Sequence, residues 1–363
     1  AVVISSGFAE QFDAGARQRQ LRAVCAEYPG MRVLGPNAEG LMNVIDAIPV
    51  GFSPTINYER GLRKLRGGDV AVIAQSGGLG FALFNDGLGR GLGFSHVVST
   101  GNEVDLDAAD IAEYLIRDSA TRVLLLFVEG LTPPGRLTAL AVAAKARNKV
   151  VIVAKVGTTV VGRRAAMAHT GHDAGDESDY AAIIAGSGIL RARDQEERVD
   201  LALAFSRTKH PAGPRVGIVT TSGGAGTWVA DDLLAEGLEV PELSDALQGA
   251  LRQLIPAYGS PRNPVDATAQ VLGRGGIAGV VELVARSGEV DSVVLIATLA
   301  DAQQVAREKV RLAEIAAGIP LVLYSYTRPS RESVELAGEL GLAYFTSARR
   351  TAVALRALSC EAY

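Results

Sequence analysis

Cysteine is scarce in this sequence, whose 363 residues include only Cys25 and Cys360. Neither lies in a Cys-x-x-Cys pair or beside a histidine cluster, which excludes a disulfide framework and a structural zinc site. No apolar run reaches the ~18–20 residues that a membrane helix needs, and no signal-peptide pattern opens the chain. We therefore expect a cytoplasmic protein with no metal site of its own.

Charge of one sign is also missing. The formal net charge is −4, and no basic block occurs, so the sequence gives no support for nucleic-acid binding. Apolar residues, in contrast, make up 48% of the chain, and glycine occurs 41 times. At roughly 100–200 residues per domain, the length predicts two or three domains with large cores and many tight turns.

Short β-branched runs alternate with amphipathic stretches of helical period, which is typical of parallel sheets covered by helices on both faces. The predicted buried strands are Ala1–Ile4, Val70–Ile73, Val123–Val128, Val150–Ala154, Val216–Val219, Val293–Ala297 and Leu321–Tyr324. Breaker-rich stretches predict domain boundaries near residues 60 and 212. The chain begins inside its first predicted strand and without an initiator Met, so we expect the natural protein to begin earlier.

The most informative pattern is an internal repeat. The segment VAVIAQSGGLG at residues 70–80 recurs as VGIVTTSGGAG at residues 216–226. The likeness continues at the same offset, pairing Ser76 with Ser222, Asp86 with Asp232, and Gly91-Leu92 with Gly237-Leu238. The two regions are therefore predicted to be copies of one strand–turn–helix design.

Each copy of the Ser-Gly-Gly-x-Gly turn favours anion binding. Glycines remove Cβ atoms, so that backbone N–H groups can approach a ligand closely, and the helix N-terminus adds a partial positive charge. The predicted phosphate-binding residues are Ser76, Gly77, Gly78, Ser222, Gly223 and Gly224. The alternative is that glycine merely permits a tight turn, since neither copy is a Walker A or a GxGxxG motif. One anion held between the two helix ends is a further hypothesis.

Two histidines lie in a segment rich in small residues, at 162–175, which we predict to be a flexible loop. Neutral imidazole is available near pH 7, so His169 can serve as a nucleophile. The alternatives are a surface histidine, or a weak metal pair with His172 that lacks a third ligand at recognisable spacing. Glu129 directly follows a predicted strand and can orient the imidazole, or it can be an ordinary solvated glutamate.

Together these residues resemble the NDP-forming acyl-CoA synthetases, relatives of succinyl-CoA synthetase. The likeness covers the whole chain in order and rests on Gly35-Pro36-Asn37, Gln75-Ser-Gly-Gly, Ser99–Asp105, Ala168-His-Thr-Gly, Ser222–Gly226 and Asn263-Pro-Val-Asp266. It implies two flavodoxin-like doubly wound parallel-sheet domains, at 61–211 and 212–363. These would be preceded, at 1–60, by the C-terminal part of a Rossmann-like CoA-binding domain.

The resemblance also implies a mechanism. An acyl phosphate forms from acyl-CoA and phosphate, and its phosphoryl group moves to His169, which Glu129 orients between the two phosphate-binding turns. The phosphohistidine loop then reaches ADP and Mg²⁺ in an ATP-grasp domain. The implied cofactors are coenzyme A and, through a partner ATP-grasp domain or β-type subunit, ADP/ATP. A small organic acid or acyl-CoA is the implied substrate, and a homo-oligomer is possible.

The sequence also departs from the family pattern. Most of the CoA-binding domain and the whole ATP-grasp domain are missing from this chain, so we expect it to need a partner chain or to be a piece of a longer polypeptide. His172 stands where relatives often have a small or apolar residue. The competing hypothesis is a non-catalytic acyl-CoA-binding or regulatory module, such as the version fused to a protein acetyltransferase.

Overall fold

The computed structural model describes residues 1–9, 15–56, 65–131, 133–170, 174–273 and 276–360, with only the backbone at 168–170. The chain forms two compact units, an N-terminal unit at Ala1–Ala202 and a C-terminal unit at Leu203–Glu361. The boundaries near 60 and 212 stay predictions.

A seven-stranded sheet forms the centre of the N-terminal unit. Its strands are β1 (Gly40–Asn43), β2 (Ile48–Gly51), β3 (Gly67–Ala74), β4 (Phe94–Ser99), β5 (Val123–Val128), β6 (Val150–Lys155) and β7 (Leu190–Arg191). They lie in the order β2-β1-β4-β3-β5-β6-β7, and β1 pairs antiparallel with both of its neighbours while the other pairs are parallel. From β3 onward this is the flavodoxin order 2-1-3-4-5, whose ligands bind at the switch point between the first and third strands. Here that point lies between β3 and β5.

Helices cover this sheet. They are α1 (Gly15–Glu27), α2 (Gly77–Gly89), α3 (Ala108–Arg117), α4 (Arg136–Lys145), α5 (Val160–Thr170), α6 (Glu177–Ser187) and α7 (Gln195–Arg207), the last of which continues into the C-terminal unit. Every residue of β5 and β6 is buried. Successive residues of β5, such as Leu126 and Phe127, belong to separate apolar clusters, because successive side chains of a strand point to opposite faces.

The C-terminal unit repeats this plan with five parallel strands. They are β8 (Val216–Thr220), β9 (Val265–Asp266), β10 (Ser292–Ile296), β11 (Leu321–Tyr324) and β12 (Ala343–Phe345), in the order β12-β11-β10-β8-β9. Its helices are α8 (Gly223–Ala235), α9 (Asp245–Arg252), α10 (Ala278–Arg286), α11 (Gln303–Gly318), α12 (Arg331–Glu339) and α13 (Ala348–Leu358), with a 3₁₀ helix at Ala269–Gly273. Counted from β8, the order is again 2-1-3-4-5. The predicted α/β fold with flavodoxin-like parallel sheets is confirmed.

The internal repeat is visible in the geometry of α2 and α8. Each helix has 13 residues and begins after a serine. Each ends before a glycine, Gly91 or Gly237, whose φ is 77° in both cases. The next N–H bonds back to the helix, from Leu92 to Gly87 O and from Leu238 to Leu233 O. The positive φ and the backward bond are the features of a glycine C-terminal cap, so the two copies share their helix ends as well as their turns.

The first predicted strand, Ala1–Ile4, is wrong as an element. Val2 forms only an isolated bridge with Leu34. Val3 N donates to Leu34 O, and Leu34 N donates to Ala1 O, both at 2.9 Å. The apolar run is extended, but its pairing with the chain around Leu34 is too short to make a ladder.

The side chain of Asn263 continues the pairing of β8 beyond the two-residue strand β9. Its Oδ1 accepts a hydrogen bond from Ile218 N at 2.9 Å, and its Nδ2 donates to Val216 O at 2.9 Å and to Pro241 O at 3.1 Å. Asn263 therefore supplies both the donor and the acceptor that a neighbouring strand would give.

We expect Asn263→Asp to destabilise the C-terminal unit by about 1–3 kcal/mol at pH 7, because a carboxylate oxygen would replace the amide donor facing two carbonyl oxygens. Urea unfolding followed by the fluorescence of Trp228, the single tryptophan, measures this loss. Gln253→Glu adds the same charge at an exposed position and is the control. Equal unfolding midpoints for the two variants would contradict the structural role of Asn263.

Candidate functional site

The first Ser-Gly-Gly turn lies at the carboxyl end of β3. Ser76 has extended backbone angles and makes no side-chain capping bond to α2, which begins at Gly77. A Cβ at Gly77 would lie 2.5 Å from Glu39 Cβ and 3.2 Å from Ser99 Oγ, whereas a Cβ at Gly78 would meet nothing within 4 Å. Gly77 is therefore required by close packing, and Gly78 leaves the helix N-terminus open to a ligand.

A cavity of about 180 Å³ adjoins this turn. It is lined by Ile4, Asn37, Ala38, Glu39, Phe52, Gln75, Ser76, Gly77 and Gly78. The cavity is smaller than the ~300–1,000 Å³ typical of sites for drug-sized ligands. Its size and its position against a helix N-terminus suit a small anionic group.

The second turn has the same construction inside the C-terminal unit. Ser222 precedes α8 with extended backbone and no side-chain capping bond. A Cβ at Gly223 would lie 2.8 Å from Asp266 Oδ2, and a Cβ at Gly224 would meet nothing within 4 Å. In both copies, then, the first glycine packs against an acidic side chain and the second faces open space. The hypothesis of one anion shared by the two turns stays a prediction.

Glu129 follows β5 directly, at the carboxyl end of the sheet and beside β3, so it lies at the switch point next to the first turn. The residue is only 5% exposed. Gln75, which immediately precedes Ser76, reaches it from β3: Gln75 Oε1 accepts hydrogen bonds from the N–H groups of Glu129 and Gly130, and Gln75 Nε2 donates to Gly130 O at 2.7 Å. The first Ser-Gly-Gly turn and Glu129 are thus connected through the buried side chain of Gln75.

Two more side chains complete this support. Lys155, the last residue of β6, donates from Nζ to Glu129 O at 2.8 Å and also to Val156 O. The Tyr180 hydroxyl donates to Leu131 O at 3.0 Å and accepts from Leu131 N at 2.6 Å. Every backbone N–H and C=O of residues 129–131 is therefore bonded to a side chain of Gln75, Lys155 or Tyr180. We call these three residues the Glu129 clamp.

Lys155 is an unusual member of the clamp because it is a buried cation, 7% exposed. Burial is the main cause that lowers its pKa to about 8, against an opposing effect of Glu177. Its Nζ also lies 4.6 Å from the centre of the Tyr180 ring, within the range of a cation–π interaction. Near neutral pH, Lys155 is therefore mostly in its ammonium form where it donates to the carbonyl oxygen of Glu129.

His169 is part of helix α5, so the prediction of a flexible loop for 162–175 is wrong for its described first part. The run Ala165-Ala166-Met167-Ala168 has high helix propensity, which outweighs the single Gly162. The side chain of His169 and all of His172 lie outside the described residues.

The two ends of the His169 segment meet at the end of β6. Gly157 has a φ of +72°, and a Cβ there would lie 2.9 Å from Ala174 Cβ and 3.7 Å from Ala166 Cβ. Beyond Ala174, Gly175 packs against the Tyr180 ring. The residues that flank 158–173 therefore lie in contact beside the strand next to that of Glu129, and we call this contact of Gly157 with Ala174 the stem.

Sequence reasoning missed the clamp. In the sequence, Gln75 stands out only as part of the Gln75-Ser-Gly-Gly motif, and neither Lys155 nor Tyr180 is predicted to have a role. A lysine at the end of an entirely apolar strand was the available signal. Across the described residues, no group of three His, Cys, Asp or Glu side chains could hold a metal ion, and no helix is long and apolar enough to cross a membrane.

Comparison with known proteins agrees with this geometry. Residues 67–205 match the succinyl-CoA ligase like flavodoxin domain, and residues 216–309 match the ligase-CoA domain. The α subunit of ADP-forming acetate–CoA ligase I from Pyrococcus furiosus is 36% identical over 272 residues, which are 75% of this chain and 57% of that protein. The chain belongs to the NDP-forming acyl-CoA synthetases.

Two further members of the NDP-forming acyl-CoA synthetases extend the comparison. ADP-forming acetate–CoA ligase I of Archaeoglobus fulgidus is 35% identical over 73% of this chain and 37% of its own length. The structure of acetyl-coenzyme A synthetase 1 from Ca. Korarchaeum cryptofilum, in complex with phosphate and ADP, superposes with a TM-score of 0.84 at 29% identity. That superposition covers 99% of this chain and 76% of the other. The chain thus spans little more than half, or less, of the curated relatives that it matches.

Proposed function

We propose that the chain is the α-type module of an acid–CoA ligase that works through an acyl phosphate and a phosphohistidine at His169. The observation that carries this proposal is the arrangement at the carboxyl end of the N-terminal sheet. Three neighbouring strands, β3, β5 and β6, end respectively in an open helix N-terminus, in a glutamate whose backbone is held by the clamp, and in the stem of the His169 segment. Anion, base and nucleophile are the three parts that such a transfer needs.

In the proposed reaction, phosphate displaces the thiol of coenzyme A from acyl-CoA, and an acyl phosphate forms. The N–H groups at the start of α2, with Ser76, hold the phosphoryl oxygens, and those of the Ser222 turn are proposed to do the same. A ring nitrogen of His169 attacks phosphorus, and the carboxylic acid leaves as its carboxylate. Glu129 accepts the proton of the other ring nitrogen in a hydrogen bond and so stabilises the cationic imidazole.

The phosphohistidine would pass its phosphoryl group to ADP, with Mg²⁺, on an ATP-grasp partner subunit or domain. The names of the relatives, which are ADP-forming ligases or their α subunits, support this partner.

Radiolabelled acetyl phosphate tests the proposal on this chain alone, because the proposed transfer from acyl phosphate to histidine needs no nucleotide. We expect an acid-labile, alkali-stable label, and peptide mass spectrometry should map the phosphate to His169. A chain that binds acyl-CoA but acquires no label would contradict the proposal and favour the non-catalytic acyl-CoA-binding module.

A further inference from the structure

We propose that Lys155 is a positioning residue for Glu129. Its amine holds the backbone carbonyl of Glu129, so that the Glu129 carboxylate can orient the histidine that carries phosphate. The inference rests on the proposed function. It deepens that function by adding a residue that need not touch the substrate, and it starts from the Glu129 clamp.

The clamp acts on the backbone at residues 129–131. This segment follows β5 and no longer belongs to the ladder, so its polar groups need other partners once they are buried. Side chains provide all of them, and those side chains come from three elements: Gln75 from the end of β3, Lys155 from β6, and Tyr180 from α6. Such a segment has little freedom to move, so the clamp fixes the direction of the Cα–Cβ bond from which the Glu129 carboxylate extends.

Lys155 differs from the other members of the clamp because it carries a charge. Gln75 holds the N–H of Glu129, whereas Lys155 holds its C=O. A charged donor makes a stronger hydrogen bond than a neutral one, and Lys155 makes it while buried. The charged groups that face the amine are Glu129, Glu177 on α6, Arg191 on β7 and Arg163 on α5. Because both carboxylates and guanidinium groups face the amine, Lys155 is not simply the counter-charge of one carboxylate.

Lys155 also connects Glu129 to the stem. Its Nζ donates to Val156 O, and Val156 directly precedes Gly157, whose contact with Ala174 forms the stem. One ammonium group therefore holds both the carbonyl of the orienting carboxylate and the backbone beside the entry to the His169 segment. Its removal should loosen the two reacting parts relative to each other.

Lys149 is a matched control at the opposite end of the same strand. It directly precedes β6, is partly buried, and donates from Nζ to two backbone carbonyl oxygens, those of Leu115 and Asp118. Burial lowers the pKa of Lys149 as well. Lys149→Met therefore makes the same chemical change and breaks the same kind of contact, but away from the carboxyl end of the sheet.

The test is the rate of His169 labelling by acetyl phosphate in Lys155→Met, Lys149→Met and the wild type. For Lys155→Met we expect a maximal rate about 10–100-fold lower, as for partners that orient reacting groups elsewhere. The half-saturating acetyl phosphate concentration and the final stoichiometry of label should stay unchanged. Lys149→Met should keep the wild-type rate. A fall in stoichiometry instead of rate would indicate unfolded protein and contradict a positioning role.

A second comparison asks whether Lys155 acts through Glu129. In a Glu129→Gln background, Lys155→Met should slow labelling little further, because the partner it positions is already disabled. An undiminished effect in that background would overturn the inference. If Lys155→Met does not fold, Tyr180→Phe is the deciding variant. It removes the hydroxyl that holds Leu131, so it should also slow labelling. An unchanged rate would overturn the inference.

The two proposals fail in different ways. If the wild-type chain acquires no label at His169, the proposed function fails, and the role given to Lys155 fails with it. If the wild type is labelled and Lys155→Met is labelled as fast as Lys149→Met, only the role of Lys155 fails.

Discussion

Replacing His169 with alanine should abolish the acid-labile phosphate that the chain acquires from acetyl phosphate. The reaction as proposed forms a covalent bond between phosphorus and a ring nitrogen, and alanine offers no nucleophile in its place. The helix should tolerate the change, because alanine has the highest helix propensity and His169 lies inside α5. The loss is therefore expected in labelling and not in thermal stability.

His172→Ala is the matched control for this prediction, since it removes the neighbouring histidine of the same segment. It should be labelled to the same stoichiometry as the wild type. Label that persists in His169→Ala and disappears in His172→Ala would move the nucleophile to the second histidine. Label that persists in both variants would contradict the phosphohistidine assignment altogether.

Gly77→Ala should slow labelling by about 10²–10³-fold, which is the usual effect of losing one preorganised donor to a developing charge. The added Cβ would lie 2.5 Å from Glu39 Cβ, and real Cβ contacts are not that short. Either Glu39 or the first turn of α2 must therefore shift, and the N–H groups that face the phosphate shift with it. The labelling rate over a range of acetyl phosphate concentrations measures the effect.

Gly89→Ala, at the other end of α2, is the control for Gly77→Ala, because its Cβ would meet nothing within 4 Å and alanine favours the helix. Its labelling should stay close to that of the wild type. In the C-terminal unit, Gly223→Ala should have a milder effect than Gly77→Ala, since its Cβ would meet only the carboxylate end of Asp266, which can rotate. Equal rates for Gly77→Ala and Gly89→Ala would contradict a role of this turn in holding phosphate.

The sequence predicted best what depends on neighbours along the chain. β5 has the predicted bounds Val123–Val128, and β6 differs by one residue, because both strands are buried on both faces and read as unbroken apolar runs. The repeat likewise led to two turns of the same construction. The extended run at Ala1–Ile4 was misjudged, since strand formation needs a partner of sufficient length.

The support of the site could not be predicted in the same way. The clamp residues come from three separate elements. Gln75 and Lys155 reach the segment after β5 because β3 and β6 are the neighbours of β5 in the sheet, and Tyr180 reaches it from α6. Their bonds go to backbone groups, which leave no trace in the residue types of 129–131. The helical state of His169 was missed for a different reason: small residues suit both a loop and a helix, and Ala165–Ala168 favour the helix.

The stem sets a limit on how far His169 can travel. If Gly157 and Ala174 stay in contact, the histidine is tethered by two arms, and the shorter one runs over five residues from His169 to Ala174. A fully extended chain spans at most ~3.3–3.6 Å per residue, so this arm has a radius of about 16–18 Å. A nucleotide that exchanges phosphate with His169 would have to come within that radius plus the reach of the imidazole side chain, or the stem would have to open. The contact of one glycine with one alanine would thus limit the distance over which a partner could exchange phosphate with this chain.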